Sequence, residues 1–434
     1  MKQVTTLLVL ACMLVGKGAF SADNEAKKLQ LSLKQAQEYA MENSLTVKDG
    51  LYDLDIAQKK IWESTAIGLP QAEAKLMYNH NPGSIPTIQF GNDLVSVGVK
   101  NSTSITGTVS QLIFSGSYIV GLQASKTYKE MVAQTLEKTK VDLRESVAQS
   151  YYHVLLMSET SAVLKENLSN LQKTLFDTEK MLEKGFAEST SVDQLKIAVN
   201  DLQLSLSTTR NQEQVARRML NFLLGLTLDS EIELTDKLEN IALGLNRDRI
   251  VATPFDLSKN ISYSMATTDE KVKKLLYRLE LTSYLPTVAG FYQYQKPLPA
   301  PPVNFQPVNM LGLSVTLPIF SSGQRYSKVG QAKLALKKSE IAKEQAARSL
   351  TMEYLQSRDD FNTAWDKYLS SKSSMALSKK VFNETTIKFN NGMATSMELT
   401  QANDKLLQAI GSLYSAEFDL LKAKIRLDKV TSSY

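Results

Sequence analysis

Few side chains in this sequence could do chemistry. The 434 residues hold one cysteine, Cys12, and two histidines, His80 and His153. A single thiol makes neither a disulfide nor a cysteine-ligated zinc site, and two isolated histidines cannot build a histidine-rich metal site. Paired carboxylates are the next candidates for acid–base work. The clearest, Asp359-Asp360, lies in a run of charged helix formers where plain solvation is the simpler role. No phosphate-binding loop, no Gly-x-Ser-x-Gly, no His-Glu-x-x-His and no Asp-rich calcium loop occurs. No catalytic residue, metal or cofactor is therefore expected. The formal charge is +5, from 50 basic and 45 acidic residues of mixed order, which is no nucleic-acid footprint.

With chemistry set aside, the elements themselves carry the information. Residues 1–22 read as a secretory leader: Lys2, the apolar stretch Leu7 to Val15, then Gly18-Ala19-Phe20-Ser21-Ala22 as a small-residue cleavage pattern. The alternative is a lipid anchor at Cys12, because Val9-Leu10-Ala11-Cys12 loosely resembles a lipobox. No later stretch approaches the roughly 20 apolar residues of a membrane-spanning helix, so an exported chain of this kind enters a membrane only with β-strands.

The chain is one layout written twice. Gly185-Phe186-Ala187-Glu188-Ser189 recurs 207 residues on as Gly392-Met393-Ala394-Thr395-Ser396, and Ile113-Phe114-Ser115-Gly116 is matched by Ile319-Phe320-Ser321-Ser322-Gly323. Leu69-Pro70 is matched by Leu285-Pro286. Each copy holds a long helix, 117–184 and 324–391. Leu143, Val147, Ser150, Val154, Met157, Ser161, Leu164, Leu168, Leu171, Leu175 and Leu182 in the first, and Leu350, Tyr354, Ser357, Phe361, Ala364, Tyr368, Ser371, Met375, Ser378, Phe382 and Phe389 in the second, fall on a heptad seam with small and polar substitutions. Such a rod is about 100 Å long. A glycine turn follows each rod, then a return helix, 191–224 and 397–430.

Ahead of each rod lies a pair of strands, 71–114 and 286–320. Ala72, Ala74, Leu76 and Tyr78 alternate with Glu73, Lys75, Met77 and Asn79, and Ile105, Gly107 and Val109 alternate with Thr106, Thr108 and Ser110. Val288, Gly290, Tyr292 and Tyr294, then Leu311, Leu313, Val315 and Leu317, repeat the pattern. Length and two-faced alternation suit transmembrane β-strands. A polar loop, 80–100, and a proline-rich loop, 296–309, join the strands of each pair. Phe114, Tyr118, Phe320 and Tyr326 are placed for an interfacial aromatic girdle. Four strands cannot close a barrel and an open edge in lipid is forbidden, so oligomers are required. Two chains give eight strands and a filled interior, whereas three give twelve and room for water.

In this order the residues resemble the TolC family of outer-membrane efflux channels: Leu31-Ser32-Leu33-Lys34-Gln35-Ala36 at the start, the Leu-Pro pairs, the Phe-Ser-Gly helix starts and the Gly-x-Ala-x-Ser tips. Departures are Ser44, where the family usually has proline, a poorly marked opening helix in the second copy from Phe255, and Ser432 where the first copy has Gly225. The resemblance implies an α+β membrane protein, a long α-helical coiled-coil barrel joined to a transmembrane β-barrel of four strands per chain and twelve in a homotrimer. The domains would be a first repeat 23–226, an equatorial segment 227–263 and a second repeat 264–434. It implies an exit duct of a tripartite efflux or type I secretion system, set in outer-membrane lipid and served by a periplasmic adaptor and an inner-membrane pump. The tips Gly185-Phe186-Ala187 and Gly392-Met393-Ala394 would dock the adaptor. The family's gate positions read Glu398 and Gln401, with Gln194 and Asp193 from the first copy. For Glu398 the alternative is a surface charge favoured by its helix N-terminus. A secreted coiled-coil structural protein or an adaptor is the rival function, and neither needs strands with lipid-type alternation.

Overall fold

The structure is a computed structural model that describes residues 29–432 apart from 86, 92, 97–98 and 299–306. The expected leader with Cys12, and most of the proline-rich loop, lie outside the described residues. In chain order the elements are β1 (Leu29–Leu31), α1 (Leu33–Asn43), α2 (Leu45–Ala66), β2 (Gln71–His80), β3 (Thr87–Phe90), β4 (Asp93–Ser96), β5 (Asn101–Phe114), α3 (Gly116–Glu183) and α4 (Ser189–Leu224). Then come β6 (Ile232–Leu234), α5 (Leu238–Leu243), α6 (Arg247–Val251), α7 (Ile261–Thr282), β7 (Thr287–Leu298), β8 (Asn309–Thr316), α8 (Gln324–Asn390) and α9 (Ser396–Thr431).

The rods α3 and α8 are single helices of 68 and 67 residues. Neither contains proline, and their seams are mostly apolar: Leu143, Val147, Val154 and Leu171 in α3, and Leu350, Phe361, Ala364 and Tyr368 in α8, are buried, with the seam serines Ser161 and Ser357 buried among them and Leu182 exposed near the tip. The return helices α4 and α9 pack back along the lower halves of α3 and α8, and α9 also lies against α3. The upper halves form a row in the order α2, α3, α7, α8. The strands continue that row. β2, β5, β7 and β8 form one antiparallel sheet in that order, so each strand prolongs its own helix and neighbours stay neighbours.

Around the middle, β1 pairs in parallel with β6, and α5, α6 and the end of α9 complete a belt. Tyr151 of α3, fully buried, sets its hydroxyl 2.9 Å from the Leu31 carbonyl and 2.8 Å from the Asp236 carboxylate. The same carboxylate oxygen accepts the Leu33 N–H at 2.8 Å. Lys429 reaches from α9 to Asp142 and Glu145 of α3 at 2.7 and 2.6 Å. One buried tyrosine and one lysine thus hold the belt to the rod.

Four details differ from the sequence expectation or refine it. The loop 80–100 contains the short hairpin β3–β4, in keeping with its Gly91-Asn92 between two alternating runs. Tyr118 turns inward, with its hydroxyl donating to the Thr65 carbonyl at 3.2 Å, so it leaves the girdle; Phe320 and Tyr326 stay exposed. Ser44 separates α1 from α2 at φ −58°, ψ 133°, a proline-like φ, and its N–H donates to the Ala40 carbonyl at 2.9 Å, a bond proline cannot make. The second copy's helix begins at Ile261, where the Asn260 side chain accepts the Ser262 N–H. Phe255 lies outside it, stacked on Tyr354.

Candidate functional site

The sheet is the first part of the site. Its register places Ala72, Val109, Tyr292 and Leu311 side by side, then Ala74, Gly107 and Tyr294 in the next row and Leu76 beside Ile105. That face is apolar through its middle across all four strands, with Asn309 and Lys296 on it at the loop end and Gln111 at the helix end. Leu311 and Leu313 are 83% and 71% exposed, uncovered by any of the described residues. The other face carries Glu73, Thr108, Gln293 and Met310 in one row and Lys75, Thr106 and Gln295 in the next. An apolar outer and a polar inner face are what a lipid-embedded strand with a wet lumen requires. Among the described residues β2 and β8 each have one unpaired edge, and no described helix is long and apolar enough to cross a membrane.

The tips are the second part. At the end of α3, Gly185 N–H donates to Leu182 and Phe186 N–H to Met181; at the end of α8, Gly392 donates to Phe389 and Met393 to Lys388. This paired 5→2 and 6→1 pattern closes a helix only with a left-handed residue. Gly185 and Gly392 supply it at φ 79° and 70°. The turns throw Phe186 and Met393 into the open, 77% and 69% exposed, while Ala187 and Ala394 are half-buried.

The expected gate residues sit just beyond these turns. Glu398 is exposed and closes a capping box at the start of α9: its carboxylate accepts the Thr395 N–H at 2.7 Å and the Thr395 hydroxyl at 3.1 Å. Those two donors hold its pKa below the ordinary carboxylate value, so it stays ionised at neutral pH. Gln401 is exposed one turn on. Gln194 accepts the Ser396 hydroxyl at 3.1 Å, tying α4 to α9, and Asp193 beside it is exposed. The structure therefore joins Gln194 to the second hairpin and leaves Asp193, Glu398 and Gln401 on the surface of one chain.

Of the histidines, His80 ends β2 with Nδ1 2.6 Å from Asn101 Oδ1, and His153 lies on α3 against Phe418. Among the described residues no group of three or more His, Cys, Asp or Glu is placed to hold a metal. Sequence reading missed Glu417, a carboxylate buried in the seam of α9. The available signal was a glutamate set among Leu413, Ala416, Leu420 and Leu421.

A row of helices prolonged by an amphipathic sheet is shared with known proteins. Residues 32–226 and 306–433 match the outer membrane efflux protein family. The chain belongs to that family. Similar solved structures are VceC of Vibrio cholerae, with TM-score 0.72, 14% identity and cover of 92% of this chain and 95% of that one, and CmeC of Campylobacter jejuni, with TM-score 0.74, 14% identity and cover of 92% and 85%. The open state of MtrE from Neisseria gonorrhoeae gives TM-score 0.68 at 14% identity, over 92% of this chain and 88% of that one. At such identities the likeness speaks for the fold. The toxin and drug export protein A of Aggregatibacter actinomycetemcomitans is 27% identical over 127 residues, which is 28% of this chain and 28% of that relative. Members of the outer membrane efflux protein family are channels and not enzymes, and their place is the outer membrane with an extension into the periplasm.

Proposed function

We propose that three copies of this efflux protein close a twelve-stranded barrel in outer-membrane lipid and a helical tunnel beneath it, forming a passive exit duct. The observation that carries the reading is the four-stranded sheet with an apolar face and unpaired edges at β2 and β8. In hydrocarbon an unpaired edge leaves every second N–H and C=O unsatisfied, and pairing β2 of one copy with β8 of the next removes the cost. Eight strands would be filled by side chains, so an open duct needs three chains.

The helices support the same assembly. Ile197, Leu204, Val215 and Phe222 on α4, Tyr52, Ile56 and Trp62 on α2, and Leu334, Ile341 and Met352 on α8 are all exposed in one chain. The spacings of 7 and 11 residues on α4 and α8 are those of seams between supercoiled helices, and a neighbouring copy would bury these side chains together with those of α2. The repeats 23–226 and 264–434, joined by 227–263, would then give each chain two hairpins of a six-hairpin tunnel.

The tips would meet a periplasmic adaptor, with Phe186 and Met393 as its apolar contacts, and an inner-membrane pump would supply the energy, as in a tripartite efflux or type I secretion system. Toxins or drugs are the cargo class suggested by the name of the export-protein relative. Threefold symmetry would turn Glu398 into a ring of carboxylates beside Gln401, Gln194 and Asp193, attracting cations at the narrow end. Planar-bilayer recording of the purified protein tests the proposal. Ion conductance by a trimer is expected, with cation preference reduced in Glu398→Gln; a monodisperse monomer without conductance overturns the duct, and unchanged selectivity removes Glu398 from the bore.

A further inference from the structure

Glu417 is 2% exposed, within one chain and independent of any assembly. It points from α9 into the junction of α3, α5 and α8, and its Oε2 has no hydrogen-bond partner. The charged groups that face it are Glu159 of α3, Glu239 in the first turn of α5 and Lys372 of α8, with Tyr414 one turn back on α9. Three carboxylates therefore meet two cations, Lys372 and, beside Glu159, Lys237. Lys372 lies 3.9 Å from Glu239 and 3.4 Å from the Tyr368 hydroxyl, so it acts on Glu417 from a distance and makes no direct ion pair with it. Glu159 is already engaged: its Oε1 accepts the Leu238 N–H at 3.0 Å and so fixes the start of α5 to α3.

A buried carboxylate with two like charges nearby and no donor of its own prefers to be neutral. Burial first, then Glu159 and Glu239, push the Glu417 carboxyl up to about 7. Burial also raises Glu159 and pushes Tyr414 up to about 12. A proton on Glu417 removes one of the three negative charges at the point where the belt docks on the rods.

We propose that Glu417 is a proton-binding site that latches the belt helix α5 to the hairpins: protonated it lets α5 seat, and ionised it repels Glu159 and Glu239 and loosens α5. The belt then tightens on the rods as the surroundings acidify and slackens on the alkaline side of neutrality. Neither strand pairing nor tip docking enters this inference.

Trp365 is a built-in reporter, since it packs with Ala242 of α5 in one cluster and touches Phe361 and Tyr368. Replacing the exposed Trp62 by phenylalanine leaves Trp365 as the single tryptophan. Its emission should titrate with a midpoint near 7, and the titration should vanish when Glu417→Gln is added. In the unaltered protein, amide hydrogen exchange over 236–245, corrected for the intrinsic pH dependence, should show protection about tenfold lower above the midpoint than below it. A flat emission profile, a titration that survives Glu417→Gln, or equal protection on both sides of neutrality overturns the proposal.

Discussion

Gly225→Ala and Gly392→Ala put the same methyl group on the same kind of helix stop, and the structure assigns them different costs. Both glycines are left-handed, at φ 75° and 70°. An L-residue there loses about 1–2 kcal/mol, offset by about 0.4–1 kcal/mol from the stiffer unfolded chain. Around Gly392 a Cβ meets nothing within 4 Å, so the net cost there is the left-handed penalty less that offset, about 0–1.6 kcal/mol. At Gly225 it would lie 2.5 Å from the Asn43 carbonyl oxygen and 3.0 Å from its carbon, both backbone. That contact is the seat of α1 against the end of α4, and overpacking of this kind adds about 1–3 kcal/mol. Denaturant unfolding in detergent, followed by helical circular dichroism, should place Gly225→Ala about 1–3 kcal/mol below Gly392→Ala. Equal midpoints would refute the claim that α4 stops against α1 by backbone contact.

Tyr151→Phe removes the hydroxyl shared by Leu31 and Asp236 and should cost about 1.5–3 kcal/mol in the same assay, as expected for a buried bond to a charged group. On the sheet, Leu313→Arg should cost about 2–4 kcal/mol and block insertion into lipid vesicles, whereas Thr108→Arg on the opposite face should insert and change conductance. Glu417, lifted from its ordinary 4.5 to about 7, keeps a proton in the folded chain that the unfolded chain releases. Stability should therefore fall by about 3 kcal/mol as pH rises from about 4.5 through about 7 and level off above, and Glu417→Gln should remove that slope in pH-dependent unfolding.

The rods were legible because a heptad seam without proline is a long-range signal, and each step of the pattern repeats the last. Strand alternation was equally plain: Ala72, Leu76 and Tyr78 share a face with Ile105 and Val109 in the observed register. The belt was not legible. β1 and β6 are three residues each and lie some 200 positions apart, so neither has a period to read, and their pairing depends on Asp236 meeting Tyr151. The helix stop at Ser432 shows the opposite lesson. The residue is not glycine, yet it takes the left-handed conformation at φ 55°, so the duplication persists in the backbone where the letters have diverged. Glu417 escaped because its counterpart 207 residues earlier is the exposed Arg210, and comparison of the two copies drew attention only to positions that match. Of the expected gate, the helix and its acidic start were readable, while the way Glu398 folds onto Thr395 needed coordinates.

The central claim is that β2 of one copy pairs with β8 of the next until three chains close. Disulfide scanning tests it most directly: a cysteine at Tyr78 on β2 is combined in turn with a cysteine at each position from 309 to 316 on β8, and outer membranes are oxidised and run without reductant. Closure predicts covalent trimers as the largest species, confined to β8 positions of one parity, because alternate side chains leave opposite faces of the sheet. Absence of crosslinks at every position, or ladders that run past three chains, would contradict it.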